Sequence, residues 1–424
     1  MVLATPALPS LSHSSAEVLS DARILAAWAI FFASYTVFAL GKFPGMKIDR
    51  PGAAIIGAVL MVALRIVPSE DALRFIDFPT LVLLFSMMLI VAYLQVAGFF
   101  DWITELVVTR LEPHHLLPTI IFTSGVLSAF FVNDIICLVM VPFALTASRR
   151  MGVKPIPYLL AVATASNIGS VASITGNPQN MLIGSFSGIS YRDFLAHLGP
   201  VALIGLFLDW AILHRVALRH GLRDPEVTAI PVAHIETARL RKPATVILTV
   251  MIGFLAGVPP AIMAAVGAAV MLITRTRYPR EVYQKVDWGL LVFFVGLFLI
   301  VGGAERSGLV DRLLSFTRGW NLEHPAPFTV VAAVLSNLVS NVPAVMLMKS
   351  LVPGFANPHT GWLVLAMAST LAGNLTITGS VANIIMVERA KPEVEISFRD
   401  YFEVGLPITV LTLLVGWAWL TLVG

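Results

Sequence analysis

The sequence predicts an all-α polytopic membrane protein: two inverted repeats, each of five transmembrane helices plus one re-entrant hairpin, with two broken, unwound helices in all. Three observations predict it: an apolar composition, apolar runs of membrane-spanning length, and a motif series that recurs in order about 210 residues later. Of 424 residues 57% are hydrophobic and 12% charged, against roughly 45–50% and 25% in soluble domains. The 28 Lys and Arg and 25 Asp and Glu, gathered in short clusters, cannot cover a water-facing surface, so the runs between them must face lipid. The formal charge of +3 does not point to nucleic acid, because basic residues in a membrane protein report which loops stay in the cytoplasm. The lone Cys137 excludes an intrachain disulfide framework and a Cys-based metal cluster.

Taken in order, residues 1–21 form a Ser-rich, nearly uncharged extracytoplasmic tail without the basic start and apolar stretch of a cleavable signal. The first repeat, 22–214, holds spans at Arg23 to Leu40, Pro51 to Val67, Pro79 to Ala97, a long run within 155–187, and Phe194 to Leu213. Between the third and fourth, residues 116–147 are too long for one helix across a ~30 Å core, and Asn133-Asp134 interrupts their middle, so they read as a hairpin. Non-helical backbone at that depth is tolerated only where it lines a protein cavity, which makes the tip a candidate site. A basic cytoplasmic linker, 215–242, carries a surface helix near Val232 to Leu240. The second repeat, 243–424, follows with Pro243 to Gly257, Pro260 to Thr274, Asp287 to Val301, a hairpin at 327–351, a broken helix at 362–387 and Phe402 to Leu422.

The duplication extends to single residues: Asp77, Gly98 and Asp101 recur as Asp287, Gly308 and Asp311. Likewise Thr175-Gly176 with Asn180 recurs as Thr378-Gly379 with Asn383, and Ser190-Tyr-Arg-Asp193 as Ser397-Phe-Arg-Asp400. Five spans per unit is odd, so the copies must enter the membrane from opposite sides, the inverted-repeat plan of many secondary transporters. With both termini extracytoplasmic, 20 of the 28 basic residues fall in cytoplasmic segments, the orientation that the positive-inside rule favours in a bacterial-type inner membrane. Tryptophans 102, 288, 320 and 362 fall at the predicted interfaces.

Each repeat supplies two polar interruptions: the tips Asn133-Asp134 and Ser340-Asn341-Val342-Pro343, and the broken stretches Ser166 to Asn180 and Ser369 to Asn383. Asn177 before Pro178 is a strong helix start, and Ser380 can cap its counterpart. Four half-helix N-termini are thus expected to converge, with N–H groups suited to an oxyanion, while carbonyls at opposing ends suit a cation such as Na⁺. Small and polar residues also serve simply to let helices pack closely. Four such motifs, duplicated in register, favour a substrate or ion site. Asp134 is the main carboxylate expected near mid-depth, where a charge is costly, so it is the candidate for proton coupling. Asp209, close to His214 and Arg215, reads as structural; Asp77 and Asp287 read as helix caps, and Cys137 as packing. Nothing resembles an enzyme: there is no His-Glu-x-x-His, no Gly-x-Ser-x-Gly and no phosphate-binding Gly-x-x-x-x-Gly-Lys, so an ATPase subunit would have to be external.

Phe131-Val-Asn-Asp-Ile135, Thr175-Gly-Asn-Pro-Gln-Asn-Met-Leu-Ile-Gly184, Ser336-Asn-Leu-Val-Ser-Asn-Val-Pro343 and Ala372-Gly-Asn-Leu-Thr-Ile-Thr-Gly379 resemble motifs of the ion transporter superfamily. The resemblance covers nearly the whole chain and is nearest the arsenical pump and citrate transporter branches. It implies scaffold and transport domains with elevator-type movement, commonly in a homodimer. It also implies that tips and unwound loops bind substrate and coupling ions, placing Asn133, Asp134, Asn177, Asn180, Ser340, Asn341, Thr378 and Asn383 first. Ser128, Thr175, Ser336, Asn337, Asn374 and Ser380 complete the set, with no metal and no cofactor beyond H⁺ or Na⁺ as coupling ion. The Asn-Asp tip resembles arsenite efflux permeases, and the absence of a positive side chain from these motifs suits neutral arsenous or antimonous acid. The expected function is therefore arsenite or antimonite efflux by exchange with protons. The alternative is Na⁺- or H⁺-coupled transport of di- or tricarboxylates or inorganic oxyanions, which the Gly-Asn-Pro-Gln-Asn run favours.

Overall fold

The computed structural model describes residues 19–42, 45–110, 112–220, 240–273, 279–317, 319–391 and 393–423. The N-terminal tail up to residue 18 and the expected surface helix, apart from its last residue Leu240, lie outside the described residues. Among the described residues the chain is helical, with no strand and one isolated β-bridge between Lys42 and Asp49.

The first half runs α1 (Asp21–Leu40), α2 (Arg50–Ala63), α3 (Ala72–Phe75), α4 (Phe78–Ala97), α5 (Phe99–Arg110), α6 (Pro113–Phe130), α7 (Asn133–Arg150), α8 (Ile156–Ser170), α9 (Pro178–Ser187) and α10 (Tyr191–His220). The second half repeats the order: α11 (Arg241–Leu255), α12 (Pro260–Leu272), α13 (Pro279–Tyr283), α14 (Trp288–Arg306), α15 (Leu309–Phe316), α16 (Pro325–Val339), α17 (Asn341–Met348), α18 (Pro358–Leu371), α19 (Val381–Ala390) and α20 (Phe398–Val423). Helices α1, α4, α10, α14 and α20 are long and apolar enough to cross a membrane. The short helices α3, α5, α13 and α15 are additions to the predicted elements, and α2 and α12 are shorter than the spans expected there.

Local chemistry sets the boundaries. Asp49, Asp77 and Asp287 each accept the backbone N–H three residues on, so all three cap helices, as read from sequence for the last two. Gly98 ends α4 at φ 85° in the left-handed region. The predicted hairpins are the pairs α6–α7 and α16–α17, and the predicted broken helices are α8–α9 and α18–α19.

Packing exchanges partners between the halves: α2 lies on α14, and α12 on α4. Backbones meet closely at these seams, where a Cβ on Gly296 would stand 2.5 Å from Ala54 O. Each hairpin packs on the broken helix of its own half, α6 and α7 on α8, α16 and α17 on α18. There Gly169 is obligatory, since a Cβ would stand 2.0 Å from Gly125 O. Large apolar side chains remain outward, among them Leu248, Ile262 and Leu414, as lipid contact requires.

Candidate functional site

The tips and the unwound loops form one hydrogen-bonded body. At the first tip Asn133 begins α7, and its backbone N–H donates to Gly176 O in the loop between α8 and α9 at 2.9 Å. Its side-chain amide donates to Asn167 Oδ1 at 3.0 Å. Asn167 is the hub: its own amide donates to Asn374 Oδ1 (2.8 Å) and Asn383 Oδ1 (2.9 Å), and its oxygen also accepts from Ser380 Oγ (3.0 Å). Also across the halves, the Thr370 hydroxyl receives the amides of Asn177 (3.2 Å) and Gln179 (3.1 Å). One buried polar layer therefore ties the two halves together.

Each unwound loop is closed by an asparagine donating twice to its carbonyls. Asn180 donates to Ser170 O and Ser173 O at 3.0 Å, and Asn383 to Gly373 O (2.7 Å) and Thr376 O (2.9 Å). Asn177 caps α9 by accepting from Asn180 N at 2.8 Å, and Ser380 caps α19 by accepting from Ala382 N at 3.3 Å. At the second tip, in the amide orientation that satisfies its partners, Asn341 donates to Ser369 O (3.1 Å) and Gly379 O (3.2 Å) and accepts from Gln179 Nε2 (3.2 Å).

A cavity of about 190 Å³ opens against this body. It is lined by the first residues of α7 (Asn133, Asp134), α9 (Pro178, Gln179), α17 (Asn341, Val342) and α19 (Val381, after Ser380), so the four expected N-termini do converge. Two more arrive from the facing pair: Arg50 and Pro51 open α2, and Asp287 caps α14. Six helix N-termini present partial positive charge to one space, which offsets the two carboxylates there. Asp134 interacts with the Arg50 guanidinium, the Asp287 carboxylate and the N–H of Ala382. Arg50 Nε also donates to Phe38 O at 2.9 Å. Asn133 Oδ1 is buried and has no partner, an acceptor left for a bound molecule.

Of the residues singled out in the sequence, Asn133, Asp134, Ser340, Asn341 and Ser380 line the cavity. Asn177, Asn180, Asn374 and Asn383 lie behind it in the network, as do Ser128, bonded to Ser166 Oγ at 2.7 Å, and Ser336, donating to Ser369 O at 3.2 Å. Asn337 holds Ala372 O at 2.8 Å, and Thr175 is bonded to Phe130 O and Tyr191. Thr378 is exposed beside Thr376 and does not line the cavity. Cys137 is fully buried against Val162 O. Sequence reasoning missed Arg50, Gln179 and Asn167, and it gave Asp287 only its capping role. Arg50 corrects one premise: the site does contain a positive side chain.

Residues 35–372 match the model of the citrate transporter family, CitMHS. The chain is 29% identical to a 46 kDa membrane protein of Mycobacterium leprae, over 93% of this chain and 97% of that one. It is likewise 29% identical to a silicon efflux transporter of rice, Oryza sativa subsp. japonica, over 88% and 92%. Identity to a putative transporter, arsB, of Dictyostelium discoideum is 24%, over 89% and 88%. In fold it is similar to the YdaH transporter of Alcanivorax borkumensis, with a TM-score of 0.55 at 15% identity, covering 94% of this chain and 96% of that one.

Proposed function

The chain belongs to the citrate transporter family of the ion transporter superfamily, and from that premise we propose that it exports a small hydroxyl-rich oxyacid, arsenous or antimonous acid, in exchange for protons. One observation carries the choice of substrate: Asp134, Asp287 and the unpartnered Asn133 Oδ1 face the same small cavity as Arg50. A polyhydroxy acid donates through its O–H groups to these acceptors and accepts from the surrounding N–H groups. The relative named for silicon efflux agrees with such a solute, since silicic acid, like arsenous acid, is a small polyhydroxy acid.

Asp134 carries the coupling proton: neutralising it releases Arg50 from its charge. The candidate set places Asn133, Ser340, Asn341 and Ser380 against the solute, with Asn177, Asn180, Asn383 and the remaining residues shaping the loops that hold them. The two halves are inverted repeats, supported by their matching element order and reciprocal seams, and the hairpins with the broken helices travel as an elevator body against α2 and α14. Both termini lie outside the cytoplasm of an inner membrane, and a homodimer is the working assembly.

The second reading, coupled transport of a di- or tricarboxylate or inorganic oxyanion, is favoured by Arg50 and the converging N-termini. Everted vesicles with an imposed pH gradient separate the two. Arsenite uptake driven by the gradient and reduced at least roughly tenfold, about 1.4 kcal/mol, by Asp134→Asn supports the first. Exchange of citrate, succinate or sulfate with indifference to arsenite supports the second.

A further inference from the structure

Among the described residues Asp209, on α10, is a fully buried carboxylate, and the proposed cavity does not use it. Its residue is 0% exposed, and neither side-chain oxygen has a hydrogen-bond partner. Its surroundings follow from the register of α10 on its neighbours. Trp419 Nε1 donates to His197 O, a Cβ on Gly416 would stand 3.2 Å from Val201 Cγ1, and one on Gly205 would stand 3.4 Å from Thr412 Cγ2 and 2.8 Å from Ile168 Cγ2. One more turn along these antiparallel pairs puts Asp209 level with Ile408 and Thr409 of α20 and with Thr164 of α8.

Two hydroxyls of this layer are spent, while that of Thr409 has no partner. Thr164 donates its only proton to Leu160 O at 2.9 Å, and Thr412 donates to Ile408 O at 2.7 Å. Thr164 can therefore accept a hydrogen bond but cannot give one to a carboxylate. The titratable groups facing the layer are the Tyr401 phenol of α20, itself unpartnered, and the Cys137 thiol of α7; His214 and Arg215 follow on α10 itself. The three helices run continuously here and, apart from the Glu403 carbonyl that Pro407 leaves without its helix donor in α20, their carbonyls accept helix bonds, which leaves too few free oxygens for a Na⁺ shell. The layer also reaches the substrate body in one step, because Asn374 Nδ2 donates to Thr164 O at 3.3 Å and Asn374 accepts from Asn167.

We propose that Asp209 is a proton-binding site, occupied in this conformation with the acid O–H directed at Thr164, and that it is a second carrier of exchanged protons beside Asp134. The coupling half of this inference rests on the proton-exchange reading above. Binding places one proton on one carboxylate oxygen, and release returns it to water when the layer opens, so charge and atoms balance without a further reactant.

The test uses the full-length protein in lipid. Infrared spectra at neutral pH are expected to show a carboxylic-acid C=O band that Asp209→Asn removes, that Asp134→Asn leaves, and that replacing choline by Na⁺ does not change. If Asp209→Asn does not fold, wild type and Asp134→Asn labelled with carboxyl-¹³C aspartate report the same band by its isotope shift. Absence of the band, or its loss in Na⁺, overturns the proposal. In proteoliposomes Asp209→Asn is expected to keep substrate counterflow at equal pH while protons moved per substrate fall by one. An unchanged proton count overturns the coupling role. A wild type that moves no protons removes the proton-exchange reading itself, and the coupling role of Asp209 with it.

Discussion

Arg50 sits at the first position of α2, where a positive side chain opposes the helix dipole, so its presence is explained by what it faces rather than by its own helix. Arg50→Gln is expected to lower exchange by roughly tenfold or more, with Arg50→Lys recovering part of it because the point charge persists without the planar fork. Initial-rate flux in vesicles measures both. Asn167 makes four side-chain bonds, three of them across the halves; at about 1 kcal/mol net per bond, Asn167→Ala is expected to abolish flux and lower the melting temperature. Cys137, buried away from the cavity, is expected to tolerate Ala with near-native transport. Asn133, Asp134 and Asn341 are legible in the sequence because a polar residue interrupts an apolar run. Arg50 and Asp287 are not, because each looks like an ordinary flanking charge until α2 and α14 bring them to the cavity that Asp134 lines, 84 and 153 residues away in the chain. Asn167 lies within a motif whose other polar residues are as conspicuous as it is.

At the scale of elements, the second tip carries stored strain. Ser340 adopts φ 77°, ψ 155°, a region almost reserved for glycine, at a cost of about 1–3 kcal/mol. Ser340→Gly is expected to raise the melting temperature in detergent while changing substrate affinity, because the hydroxyl-bearing side chain at the cavity is lost. Thermal scans and equilibrium binding separate the two effects. The breaks in α8–α9 and α18–α19 are legible because Gly, Ser, Thr and Asn accumulate there and Asn177-Pro178 marks a restart. The short helices α3, α5, α13 and α15 escape a search for spans because they are only 4 to 12 residues long. Close packing is equally hidden: Gly169 looks like any small residue until Gly125 O is found against it.

For the whole molecule, two contacts bear on orientation. Arg149 in the last turn of α7 pairs with Glu393 after α19 at 2.8 Å, and Asp193 at the start of α10 bonds His359 at the start of α18 at 2.6 Å. Each pair joins segments assigned to the same side by the basic residues. In a Cys137→Ala background, a membrane-impermeant maleimide is expected to label Ser20→Cys on intact cells and Ser397→Cys only after permeabilisation; the reverse pattern would invert the topology. The exchange of seams, α2 on α14 and α12 on α4, has a further consequence for how the protein is made. When α10 leaves the ribosome, α2 and α4 are already in the membrane with their principal partners unsynthesised. The first half must wait there as an incomplete bundle, its polar tip network missing Asn374 and Asn383, and biogenesis finishes only when α12, α14 and, last, the segment from α18 to α19 arrive. Two separately translated halves should consequently be degraded when expressed singly and accumulate when expressed together.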